Sequence, residues 1–259
     1  MKPRRTLAVA AMLAVSCGAI AAQQTYPNKP IRWVTPYAPG GSTTALSRLV
    51  GEELSKTFGK PVIIDNRPGA HTMIGADAVA KATPDGYTIL LAGNSQVVLA
   101  LLMKPPYDVF KDFAPVTIMA KTNYILVVNP SLPANNLQEF IAYAKARPGQ
   151  LNVASVTSGS SQHLMGELFG MLTGVKMQHI PYKGGQQGIV APAGTPGAIV
   201  AKLSGEVGRI LALREISEKL INSGMEPYHT GPEKMAAQMK ADYAESARVI
   251  KTANIKIEE

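Results

Sequence analysis

Three short stretches carry residue types that could meet an anion. Gly40 and Gly41, preceded by Tyr37 and Ala38, run into Ser42, Thr43 and Thr44; Gly93 leads into Asn94 and Ser95; and Ser158, Gly159, Ser160 and Ser161 come shortly before His163. In each case glycine allows a tight turn with exposed backbone N–H groups, and hydroxyl or amide side chains can cap a following helix. Unsatisfied amides and the positive end of a helix dipole favour a carboxylate or a phosphate. Neither G-x-x-x-x-G-K-[ST] nor G-x-G-x-x-G occurs here, which leaves ATP and dinucleotides little support. Hydroxyls and amides without a nearby lysine suit a small carboxylate better.

His163 invites an enzymatic reading with Ser160 or Ser161. No G-x-S-x-G surrounds these serines, and neighbours at a helix start cannot be assumed to align as nucleophile and base, so no catalytic residue is expected. An esterase-like hydrolase stays as the contrasting class. His71, His179 and His229 lack metal-ligand spacing, so no metal site is expected.

The elements that must position these stretches follow from local patterning. Ile31 to Thr35 has the β-branched and aromatic character of a strand, and Pro36 and Pro39 stop its ladder. Leu46, Leu49, Val50 and Leu54 then recur at helical spacing, predicting a helix over 43–58. Val62 to Asp65 and Thr88 to Ala92 are further strands, separated by a helix over 73–82. Alternating βα units argue for mostly parallel sheets, with ligand-facing loops at the strand C-termini. Val116 to Ala120 and Tyr124 to Val128 are expected as two more strands. A helix over 136–147 has the capping pattern Asn136-x-x-Glu139 and ends at Pro148-Gly149. Leu151 to Ser155 and Met177 to Ile180 are strands flanking a helix with Leu164, Leu168 and Leu172. Helices beginning at Pro196, Glu215 and Pro232 complete the chain. The stripe of Met235, Met239 and Tyr243 in the last of them is expected to be core.

Composition sets the outer limits. At 259 residues, 46% apolar, with a mean hydropathy of +0.05, the chain is long enough for two modest globular domains. Residues 1–22 have a basic start, an apolar run from Leu7 to Ile20 and small residues at Ala19 to Ala21. They are expected to be a secretory signal peptide rather than a membrane anchor, with no stable membrane insertion after cleavage. Cys17 is the one cysteine, and Ala14-Val15-Ser16 is a poor lipobox before it. Loss of Lys2, Arg4 and Arg5 with the leader lowers the formal charge from +8 to +5. The remaining basic residues are too scattered for a nucleic-acid face.

Ten segments in order carry a family resemblance. They begin with Tyr26 to Arg32, Pro39-Gly40-Gly41, Asp65 to Ala70, Pro84 to Leu90 and Lys111 to Val116. Pro148-Gly149, Ser158 to Leu164, Pro181 to Gly185, Ala191 to Pro196 and Lys251 to Ile255 follow. Together they resemble the Bug or TctC family of extracytoplasmic solute-binding proteins, which serve tripartite tricarboxylate transporters. The resemblance implies a periplasmic protein of α/β fold, type II periplasmic binding protein-like, with two lobes. Its partners would be a small organic acid and membrane transporter subunits, with no cofactor. It divides the chain into a first lobe over 23–115 plus 189–259 and a second over 116–188. It also places Tyr182 and the Ser158 to His163 stretch across a cleft from Gly40 to Thr44 and Gly93 to Ser95, so that two helix ends could hold a diacid.

Two departures from the family pattern carry consequences. Gln186 to Val190 joins Pro181-Tyr182-Lys183-Gly184-Gly185 almost directly to Ala191-Pro192, where relatives insert further strands and helices, including an aspartate-bearing strand; about a quarter of a two-lobed chain is missing. The second lobe is therefore truncated and is expected to expose edges and apolar faces. Thr44 also stands where relatives commonly carry an acidic residue. A non-binding remnant or protein-interaction module of the same family is the alternative function.

Overall fold

The computed structural model describes residues 26–121, 125–156, 161–182 and 187–253. The expected signal peptide over 1–22 lies outside these residues, as do Tyr124, Ser158, Gly159 and Ser160.

The chain is built on a six-stranded sheet. β1 (Ile31–Thr35) pairs in parallel with β2 (Val62–Asn66) and β3 (Thr88–Ala92). Between them run α1 (Ser42–Phe58) and α2 (Met73–Ala80), the latter preceded by a short 3-10 turn at Ala70–Thr72. α1 presents Leu46, Val50 and Leu54 to the sheet, all fully buried, and ends where Gly59 takes a left-handed φ of 61° that closes the last turn. After α3 (Asn94–Leu102) comes β4 (Phe113–Lys121). β7 (Gln187–Pro192) lies antiparallel between β3 and β4, and β8 (Glu226–Pro227) adds a short antiparallel edge, giving the order β2-β1-β3-β7-β4-β8.

Side-chain alternation along the strands builds a core on each face. Ile31, Trp33, Ile89, Leu91 and Ile189 pack towards α1 and α6 (Gly197–Leu211). Val34, Leu90, Phe113 and Val190 pack the other way, against Ala76 and Val79 of α2 and Met235 of α8 (Pro232–Ala253). Each fully buried leucine or isoleucine contributes about 1.5–3 kcal/mol relative to exposure. α7 (Arg214–Asn222) closes the first face through Ile216 and Leu220.

A second, smaller unit leaves the sheet after β4 and returns at β7. α4 (Leu137–Lys145), β5 (Leu151–Val156), α5 (Ser161–Thr173) and β6 (Met177–Tyr182) form it, with β5 and β6 paired in parallel as an isolated two-stranded sheet. The expected cap holds: Asn136 Oδ1 accepts from Glu139 N–H at 3.0 Å, and the Glu139 carboxylate accepts from Asn135 N–H at 2.7 Å. Phe140, Ala144 and Val175 make the small core. Leu164 of α5 packs against Val98 of α3 and Val249 of α8, docking this unit on the larger one.

Two expectations need correction. Ile125 to Val128 form no strand; they are exposed, Ile125 and Val127 each at 81%, and nothing pairs with them among the described residues. The stretch expected only as a junction at Gln187 to Pro192 is instead a central strand. Ala120 stands beside Gln187 across the ladder, so departure and return are neighbours, and β4 straddles the expected lobe boundary at 115/116.

Candidate functional site

Parallel neighbours β1 and β3 each feed a helix at the same edge of the sheet. β1 leads through Pro36 to Gly41 into α1, and β3 leads through Gly93 into α3, so two helix N-termini open side by side. Gly40 takes φ 94°, a left-handed conformation that side-chain-bearing residues rarely adopt, and this turns the chain into α1. Gly41 caps α1 in an extended conformation with no side-chain hydrogen bond, and no acidic residue occupies the first turn. Gly40, Gly41 and Ser42 are exposed, so the positive end of α1 faces solvent.

Several anticipated residues meet here. The Tyr37 hydroxyl lies 2.9 Å from Ser95 Oγ, tying the β1–α1 loop to the start of α3. Burial pushes the Tyr37 phenol up, against the opposing pull of hydrogen bonds with Ser95 and Gln96, so it stays protonated and able to donate. Thr43 and Thr44 take a different part. Both are buried, and Thr44 Oγ1 accepts from Asn66 Nδ2 at 2.9 Å while donating to the Ala38 carbonyl at 3.5 Å. Asn66 Nδ2 also donates to the Tyr37 carbonyl at 3.0 Å. Asn66 is thus a supporting residue that sequence reasoning missed as such, although it lies in the Asp65 to Ala70 signature.

At the second terminus, Gly93 N–H donates to Gln96 Oε1 at 2.6 Å, and Gln96 Nε2 donates to Thr72 Oγ1 at 3.2 Å. Gln96 is a further missed positioning residue; its only sequence signal is its place one turn into α3. With the Gly93 amide engaged, the amides of Asn94 and Ser95 are the ones left at the helix end. Behind the loops, burial pushes the Tyr107 phenol up to about 12, and its hydroxyl is buried without a hydrogen-bond partner.

Gly93 and Asn94 also line a cavity of about 330 Å³ between the β3–β7–β4 face of the sheet and α8. His163 is elsewhere. It lines a separate cavity of about 520 Å³ in the smaller unit, together with Glu167, Gly166, Gly170, Val153 and Met177. Its Nε2 stands 3.6 Å from Glu167 Oε1, and burial lowers its pKa. Neither Tyr37 nor Ser95 contributes to that cavity. Ser158, Gly159 and Ser160 lie outside the described residues, as do the side chains of Ser161 and Tyr182. Among the described residues, no group of three or more His, Cys, Asp or Glu could hold a metal ion, and no helix is long and apolar enough to cross a membrane.

A mixed sheet, parallel over β2, β1 and β3 and antiparallel beyond them rather than mostly parallel as expected, a smaller unit inserted between adjacent strands, and anion-ready helix ends at the strand C-termini define a binding protein of the type II periplasmic class. Residues 46–190 match the family described as the tripartite tricarboxylate transporter family receptor, TctC, and the chain belongs to that family. BugT of Bordetella pertussis is 40% identical over 195 residues, which cover 73% of this chain and 60% of BugT. The chain thus spans about 60% of the length of that curated relative and is shorter than its homologues. A solved periplasmic transporter is similar with a TM-score of 0.81 at 30% identity, over 90% of this chain and 100% of that one. A protein of R. palustris with adipate is similar with a TM-score of 0.82 at 28% identity, over 89% and 99%. Members of this family are periplasmic solute-binding proteins.

Proposed function

We propose that this chain is an extracytoplasmic solute-binding protein that captures a small carboxylate-bearing organic solute for a tripartite tricarboxylate-type transporter. The observation that carries this reading is the pair of adjacent helix N-termini at Ser42 and Asn94, coupled by the Tyr37–Ser95 hydrogen bond. One carboxylate meets the amides of Gly41 to Thr43, with Ser42 Oγ and the Tyr37 hydroxyl as further donors. The solute's other end lies towards Asn94, Ser95 and the smaller unit. The protein captures without bond-making, and delivery goes to membrane subunits. The R. palustris relative with adipate supports a dicarboxylate as the first solute to try.

The test is a thermal unfolding scan of the chain, alone and with mono-, di- and tricarboxylates. A ligand that binds only the native state must stabilise it, by about 2.7 kcal/mol at roughly a hundred times its Kd. One cooperative transition raised by an acid supports capture. A cooperative transition that no acid moves overturns it. That outcome favours the second reading, a family member that survives as a protein-interaction module, whose supporting observation is the exposed apolar run Ile125 to Val128.

A further inference from the structure

The cavity beside Asn94 has a chemistry different from the helix-terminus cradle. Its walls are apolar: Leu90 and Val190 from the sheet, Val97 from α3, and Met235 and Met239 from α8. At about 330 Å³ it is at the lower end of small-molecule sites, and its two methionines can adapt to an occupant's shape. Its polar side chains are few: Asn94, Gln96, Lys121, Gln238 and Asp242. Asp242 contributes a carboxylate, which receives Gln238 Nε2 at 2.7 Å on Oδ1. Asn94 lines the same space, although its Oδ1 is buried away from it. Lys121, the one cation in the lining, sits with Nζ 3.4 Å above the centroid of the Tyr228 ring, which already engages its charge. Burial raises the Asp242 carboxyl, although the Gln238 hydrogen bond opposes this.

We infer that this cavity is a second binding site, for a small amphiphile with an apolar body and a hydrogen-bond-donating, cationic head such as a primary alkylammonium. The body replaces empty space against Val190, Val97 and Met239, and the head donates to the Asp242 carboxylate. A carboxylate solute is the wrong sign here, because its oxygens would face the Asp242 carboxylate.

Isothermal titration calorimetry of the full chain with octylammonium, octanol and octanoate tests this. Octylammonium should bind at one equivalent and octanoate most weakly of the three. Asp242→Asn keeps the shape and removes the charge, so it should weaken octylammonium by about tenfold or more while leaving octanol unchanged. Met239→Trp, on the half-buried side of α8, should fill the space and weaken both octylammonium and octanol. Tyr37→Phe should leave octylammonium binding unchanged, which separates this site from the carboxylate cradle. The inference is overturned if octanoate binds as well as octylammonium, if Asp242→Asn leaves the preference intact, or if none of the three binds to chains that still unfold cooperatively.

Discussion

The Tyr37 hydroxyl stands 2.9 Å from Ser95 Oγ, although 58 residues separate them in sequence. The contact couples two loops that each open a helix, so under the proposed function a solute at one N-terminus would also meet the other. Tyr37→Phe keeps the ring and removes the bridge and one donor. We expect carboxylate affinity to fall by about tenfold, at a stability cost of about 1 kcal/mol, because one hydrogen bond is lost in each state. Calorimetry with adipate and a urea melt check the two parts; unchanged affinity would move the solute away from Tyr37.

Gly75 lies within α2 against the root of the β1–α1 loop. A Cβ there would meet Pro36 Cβ at 2.8 Å and the Arg67 carbonyl at 3.0 Å, neither of which is the end of a flexible side chain. Gly75→Ala therefore pushes Pro36, and with it Tyr37. Despite the better helix propensity of alanine, stability should drop by about 1–3 kcal/mol and solute affinity should fall as well. Denaturant midpoints and calorimetry on the same sample show whether the two move together.

Tyr107 is packed edge-on against Phe113, with ring centroids 5.4 Å apart, and its buried hydroxyl makes no hydrogen bond. Tyr107→Phe retains the ring and removes a polar atom desolvated without compensation. Its stability should be unchanged or higher by about 1 kcal/mol. A loss of more than about 1 kcal/mol in a thermal or urea melt would show that the hydroxyl has a partner in solution.

Asp65 gives the molecule a dependence on acid. Burial raises its pKa, but hydrogen bonds and charge from Arg32, at 2.6 Å, and Arg67, at 2.9 Å, outweigh this and leave it below the usual carboxylate value. A carboxyl depressed in the folded state stabilises fully above its unfolded pKa of about 3.9, and that contribution disappears as pH falls through the lower folded value. Stability should therefore decline below about pH 4, and Asp65→Asn should flatten that decline while lowering stability at neutral pH. The group is partly exposed, so the difference should shrink in high salt. Melts from pH 3 to 7 at two ionic strengths measure it.

Much of this protein was legible along the chain, for reasons that are local. β-branched runs bounded by proline and glycine gave β1 and β3 with the bounds observed. Apolar spacing gave α1, and Asn136 with Glu139 gave the start of α4. The ordered signatures from Tyr26 to Ile255 gave the family, because they reflect backbone needs at turns. Tertiary structure alone decided the rest. Thr44 resembles a ligand-facing hydroxyl in sequence, but the fold brings Asn66 to its Oγ1 and buries it. His163 sits beside the hydroxyl-rich stretch in sequence, but α5 turns it into a different cavity. Gln187 to Pro192 lies between two glycine- and proline-bearing signatures and does not declare itself a strand; it becomes one because it pairs antiparallel with both β3 and β4. Ile125 to Val128 has the composition of a strand and is none, because a strand exists only where a neighbour accepts its backbone hydrogen bonds, and no such neighbour is there among the described residues.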